Sequence, residues 1–162
     1  RGRAESLLDL PCGTGRLAPG LRPRALHYLG ADVSAAMLRE AGTGHVLADA
    51  AHLPFADGSF EILVCCRLLH HLDEAQLAEV TVELLRVTRG LLIASFWSAA
   101  TWPALRRRLG LRHDETGRRA VAPRRLEACL ERAGGELLGY ARSLPLLSMQ
   151  TFFAARPRGA GR

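Results

Sequence analysis

A short apolar run, Ser6-Leu7-Leu8-Asp9-Leu10, feeds directly into Pro11-Cys12-Gly13-Thr14-Gly15. One strand-and-helix length later comes Gly30-Ala31-Asp32-Val33-Ser34, a second short strand ending in an acid. A strand, a glycine turn, a helical stretch and a strand ending in a carboxylate is the order in which an α/β sheet builds a nucleotide pocket. The glycines let backbone approach a ligand closely. A helix start offers free N–H groups, and the later carboxylate, Asp32, accepts from ribose hydroxyls.

The same rhythm continues along the chain. Short apolar runs at 6–10, 26–31, 45–48, 60–65, 90–96, 136–142 and 150–155 predict strands, and 14–21, 34–41, 73–88 and 123–133 predict helices. Asp73 with Gln76 has capping-box spacing, and Leu77, Val80, Leu84 and Val87 then share one helical face. Arg86 and Arg89 suit that helix's C-terminus, with Gly90 as its stop. Pro123 fits the first turn of the next helix and Gly134-Gly135 ends it. Alternation of this kind predicts a seven-stranded, mostly parallel sheet with helices on both faces and the first strand at the centre. The last two strands have no helix between them, so an antiparallel hairpin is expected there, turning near Ser143-Leu144-Pro145. The stretch 97–122 is the one long irregular connection, with room for a short helix at 103–109.

With 162 residues the chain is long enough for one domain with its own core, and no apolar run is long enough to span a membrane. The net charge of +6 rests on 22 arginines with no lysine and no asparagine, and the only isoleucines are Ile62 and Ile93. A GC-rich genome accounts for that bias as well as function does. The densest basic run, Arg106-Arg107-Arg108 through Arg118-Arg119 to Arg124-Arg125, has no interleaved aromatics. That argues for a solvated or substrate-facing loop and against a nucleic-acid groove. Cysteines stand at 12, 65, 66 and 129, in no zinc-binding spacing, and read as reduced thiols of a cytoplasmic protein.

Two ligands compete for the glycine turn. Gly13-x-Gly15-x-x-Ala18 with Asp32 downstream satisfies a permissive dinucleotide fingerprint. The acid before the glycines, Asp9, is unhelpful to a pyrophosphate but useful to a ligand carrying an ammonium and a sulfonium.

Three segments in order carry a resemblance to class I S-adenosylmethionine-dependent methyltransferases: DLPCGTGR (9–16), GADVSAAML (30–38) and ADAAHLPFADGSFEILVCCRLLHHL (48–72). The third is similar to the ubiquinone/menaquinone-type small-molecule enzymes. The resemblance is close over residues 5–96 and only one of pattern over 123–156. It implies S-adenosylmethionine as cofactor and a small-molecule acceptor; on the arginine and cysteine patterns above, no nucleic acid and no metal are expected. By position it places Asp9 near the methionine amino group and Gly13, Thr14 and Gly15 beneath the methionine part, beside a helix start. It puts Asp32 on the ribose, Asp49 and the Ala50 backbone on adenine, and Cys66 beside the methionine moiety. Pro11 replaces the motif's first glycine, and Glu61 stands where an aspartate is usual. Residues 1–162 are expected to form a single methyltransferase domain without the N-terminal segment that lids the cofactor in this family.

No residue identifies itself as a general base. His70-His71 are expected to pack in a turn, Met37 to pack within its helix, and Trp97 and Trp102 to cover the pocket or core. Two other readings stand beside methyl transfer: a nicotinamide-dependent oxidoreductase domain, which lacks a Tyr-x-x-x-Lys pair here, and a non-catalytic cofactor-binding or interaction module.

Overall fold

The computed structural model describes residues 2–42, 44–100, 119–142 and 150–159. Its seven strands are β1 (Ala4–Asp9), β2 (Ala25–Asp32), β3 (His45–Leu47), β4 (Phe60–Cys65), β5 (Thr88–Trp97), β6 (Gly135–Arg142) and β7 (Gln150–Pro157). Among the described residues four α-helices join them: α1 (Ala18–Leu21), α2 (Ala35–Ala41), α3 (Glu74–Val87) and α4 (Pro123–Arg132). They form one sheet in the order β3-β2-β1-β4-β5-β7-β6. β1 to β5 pair in parallel, and β7 runs antiparallel to both neighbours. The expected sheet class and terminal hairpin are therefore present. β4 holds the middle position, with β1 beside it, and the order of strands reverses between β1 and β4, where ligands bind in open α/β sheets.

Successive strand residues point to opposite faces. Leu8, Leu63, Cys65 and Leu92 enter a large core with Leu77, Val80 and Leu84 of α3 and Leu126 and Leu130 of α4. Leu7, Ala25 and Val64 enter a smaller cluster with Leu17 and Leu21 around α1. The Asp73–Gln76 capping box forms in both directions, each bond 2.9 Å.

Two local expectations are corrected. Residues 14–17 are turns, and only 18–21 make an α-helical turn before a 3₁₀ segment at Arg22–Arg24. Gly15 at φ 77° breaks the helical path, and Pro19 and Pro23 each withhold an N–H from it. Gly90 is not a helix stop: α3 ends at Val87 and passes without a loop into β5, whose third residue is Gly90. A Cβ at Gly90 would lie 2.5 Å from the Glu61 carbonyl oxygen, so the glycine serves close approach of β5 to β4. Arg86 does not merely face the helix end. It pairs with Glu83 and Asp57 and donates to the carbonyls of Phe55 and Leu53, tying the loop before β4 to α3.

The ends of the long connection are stitched together by Ala99 N–H to the Val121 carbonyl (2.9 Å) and Val121 N–H to the Trp97 carbonyl (2.7 Å). The expected helix at 103–109, Trp102, Arg106–Arg108, Arg118 and the turn at 143–145 lie outside the described residues.

Candidate functional site

The turn after β1 is fixed to the strands on both sides of it. Leu10 N–H donates to the Val64 carbonyl at 2.9 Å and Cys12 N–H to the Ala31 carbonyl at 2.8 Å. This suspends Pro11 to Gly15 over the carboxyl ends of β1, β2 and β4. Gly13 (φ 56°) and Gly15 (φ 77°) lie in the left-handed region that glycine alone occupies without strain. The Leu10–Pro11 peptide bond is cis, and Pro11, with its fixed φ, stands where the motif has its first glycine.

Asp32 locks the turn from the next strand. Its Oδ2 accepts from Gly13 N–H and its Oδ1 from Ser34 N–H, each at 2.8 Å. Ser34 in turn caps α2, its Oγ accepting from Met37 N–H. The carboxylate is 6% exposed and faces a cleft of about 430 Å³. Gly13 and Thr14 form one wall of that cleft and Cys66 and Arg67 another. Arg16, Met37 and His71 also border it. A cleft of this size matches the ~300–1,000 Å³ typical of small-molecule and cofactor sites.

Of the residues singled out from sequence, Gly13, Thr14, Asp32 and Cys66 therefore meet on one cleft. Gly15 turns the loop without lining it. Asp49 and Ala50 follow β3 and do not line the cleft; Asp49 is exposed, its Oδ1 accepting from Ala51 N–H at 3.0 Å. Ala48 N–H donates to the Asp32 carbonyl, which keeps this loop next to the end of β2.

Asp9 is fully buried. Its Oδ2 accepts from the Tyr28 hydroxyl at 2.9 Å, and its Oδ1 has no hydrogen-bond partner. Burial pushes its carboxyl up to about 6, against the opposing pull of the Tyr28 O–H and His45. Burial likewise lifts the Cys12 thiol to about 11, with Asp9 and Asp32 adding to the effect. Burial and Asp9 also raise Cys66. Both thiols that face the cleft are thus held neutral at physiological pH, which removes them as nucleophiles.

Tyr28, Arg16 and Arg67 were not foreseen. Tyr28 looks like an ordinary strand aromatic, and only the pairing of β1 with β2 reveals its partner. Arg67 is the one described non-glycine residue at positive φ (68°), held there by its N–H donating to the buried Ser95 Oγ at 3.0 Å. No spacing rule encodes that. Met37, expected to pack in its helix, is instead exposed on the cleft wall. His70 packs as expected, buried, its ring stacked on Trp97 at 4.7 Å and 10°, whereas His71 reaches the cleft. Among the described residues no group of three or more His, Cys, Asp or Glu is gathered as for a metal ion.

Residues 8–93 match the family model described as a methyltransferase domain. A demethylmenaquinone methyltransferase of Beutenbergia cavernae is 34% identical over 60% of this chain and 43% of its own length. A tRNA (carboxymethyluridine(34)-5-O)-methyltransferase of Arabidopsis thaliana is 29% identical over 57% of this chain and 24% of its own. The chain thus spans less than half of these curated relatives. Among solved structures, an S-adenosylmethionine-dependent methyltransferase from Clostridium acetobutylicum superposes with a TM-score of 0.78 at 17% identity, over 94% of this chain and 84% of that one. The glycine turn locked by Asp32 at the switch point of this sheet, within a segment matched over residues 8–93, places the chain in the class I S-adenosylmethionine-dependent methyltransferase family.

Proposed function

We propose that this chain transfers the methyl group of S-adenosylmethionine to a small-molecule acceptor. The observation that carries the reading is the Asp32 carboxylate, buried at the end of β2 yet open to the cleft and tied to Gly13 N–H. That is the geometry a vicinal ribose diol requires beside a turn that lets the rest of the ligand pass close to backbone. The proposed cofactor residues are Asp9, Gly13, Thr14, Gly15, Asp32, Asp49, Ala50 and Cys66.

The residues present suit the group. The unpartnered Asp9 Oδ1 beneath the loop is the acceptor an ammonium needs, and Met37 offers an apolar side chain to the wall. The bound cofactor supplies an already electrophilic methyl on sulfonium. The chain's own work is to hold that group in line with a nucleophile and keep water out. Arg16 and Arg67, exposed on the cleft and in no ion pair among the described residues, suit an acceptor bearing a carboxylate or phosphate. A single domain over residues 1–162 working in the cytoplasm accords with this reading.

The test is titration calorimetry with S-adenosylhomocysteine and with NAD. Saturable heat with the first and none with the second is expected; heat with NAD alone overturns the cofactor reading. An RNA acceptor is the rival within methyl transfer, favoured by the likeness to a tRNA enzyme. It predicts oligonucleotide binding that weakens steeply with salt, whereas a small-molecule enzyme shows none in physiological salt.

A further inference from the structure

Asp9 and Tyr28 form a diagonal pair across β1 and β2. Leu7 stands opposite Tyr28 and Asp9 opposite Gly30. Across this parallel pair the long Tyr28 side chain spans the diagonal to Asp9. Gly30 presents no side chain to Asp9, and the space a Cβ would take there is filled by the His45 ring, 2.3 Å from that position. The Tyr28 hydroxyl therefore leans along the sheet to Asp9 Oδ2, while Arg22 stacks on the ring 5.0 Å from its centroid. One carboxylate oxygen is consumed. The other, Oδ1, is buried without a partner. An unpaired buried carboxylate oxygen is costly, and such a group persists where a ligand completes it.

The charged and titratable neighbours that act on Asp9 or are acted on by it are Tyr28 and Asp32 from β2, His45 from β3, Cys12 from the turn, and Cys65 and Cys66 from β4 and its end. None of them is a fixed cation. Cys12 and Cys66 line the cleft, and Asp9, fully buried, stands behind that lining.

We infer that Tyr28 is a positioning residue of the ligand site, holding Asp9 so that its free oxygen selects a ligand bearing a cationic nitrogen on the floor of the cleft. The inference rests on the proposed cofactor. It adds a coupling: the nitrogen is bound by the ionised carboxylate, so binding below the carboxyl's titration point releases a proton. Because burial raises that point to about 6 in the free protein, affinity is full above it and falls by about tenfold per pH unit below it.

Two ligands separate this from a merely structural role. S-Adenosylhomocysteine carries the amino-acid end; 5′-methylthioadenosine has the same adenosyl thioether without it. Calorimetry from pH 5 to 8.5 is expected to show affinity rising through about pH 6 for the first and flat for the second. Tyr28→Phe removes a bond that favours the ionised carboxyl, so the midpoint moves up and S-adenosylhomocysteine binds roughly tenfold more weakly at pH 7. The affinity of Tyr28→Phe for 5′-methylthioadenosine stays within about twofold of wild type, which also shows that the variant is folded. Asp9→Asn abolishes the pH dependence and the preference for the amino-acid end. A Tyr28→Phe profile that superimposes on wild type, or an equal loss for both ligands, overturns the assignment. Binding of neither ligand by the wild type overturns the cofactor reading and this inference with it.

Discussion

Asp9 weakens the fold that contains it. Its carboxyl titrates at about 6 in the native state against 3.8 when exposed, so between those values the native chain holds more protons than the unfolded one. Stability therefore falls as pH rises through that window, by up to about 3 kcal/mol once both states are ionised. Asp9→Asn escapes this. It is expected to match wild type near pH 4 and to exceed it by up to about 3 kcal/mol above pH 7 in denaturant unfolding. A variant no more stable at pH 7.5 would show that the buried carboxyl carries no such burden. Asp32 has both oxygens engaged by backbone N–H groups and also lines the cleft. Asp32→Ala should cost about 2–3 kcal/mol in S-adenosylhomocysteine binding, or ~30–150-fold in Kd, because charged hydrogen bonds to a diol are lost and do not add fully. An unchanged constant in calorimetry removes Asp32 from the site.

Elements declare themselves in sequence where one local rule acts alone. The Asp73–Gln76 box and the Leu77, Val80, Leu84 face mark α3 without help from tertiary structure, and Asp73→Ala should cost about 1 kcal/mol in thermal unfolding. Legibility ends where two rules compete. Gly90 after Arg86 and Arg89 resembles a helix end, yet the reason for a glycine there is a backbone on another strand, the Glu61 carbonyl. No window of sequence contains that contact. Gly90→Ala must separate β5 from β4 and should lower stability by about 1–3 kcal/mol, read as a lower denaturant midpoint at unchanged slope. If it is neutral, the close approach is slack. The helix expected at 14–21 failed for a related reason. Apolar spacing is satisfied by Leu17 and Leu21, but the site requires Gly15 at positive φ, and the helix yields to the turn. Around the cleft, Gly13, Thr14 and Asp32 were legible from the order of strand, glycine turn and strand-ending acid, and Cys66 only through the family resemblance. Tyr28, Arg16 and Arg67 were not, because each acquires meaning only across strands or across the cleft.

At the scale of the molecule, the cleft is stitched into the sheet and not appended to it. The turn that forms its wall is bonded to β4 through Leu10 and to β2 through Cys12 and Gly13, and Asp32 fastens both the turn and the start of α2. A ligand held there is therefore held by three neighbouring strands at once, and its binding energy acts on their common unfolding. With S-adenosylhomocysteine at one hundred times its Kd, linkage adds about 2.7 kcal/mol to the native state. For a chain of this size that corresponds to a rise in Tm of roughly 5–10 °C, with no rise in NAD. Hydrogen exchange should locate the gain. If the turn and the strands form one cooperative unit, protection increases together in β1, β2 and β4. Protection confined to residues 12–17 would mean that the turn opens independently of the sheet, and that ligand binding orders a loop without stabilising the fold beneath it.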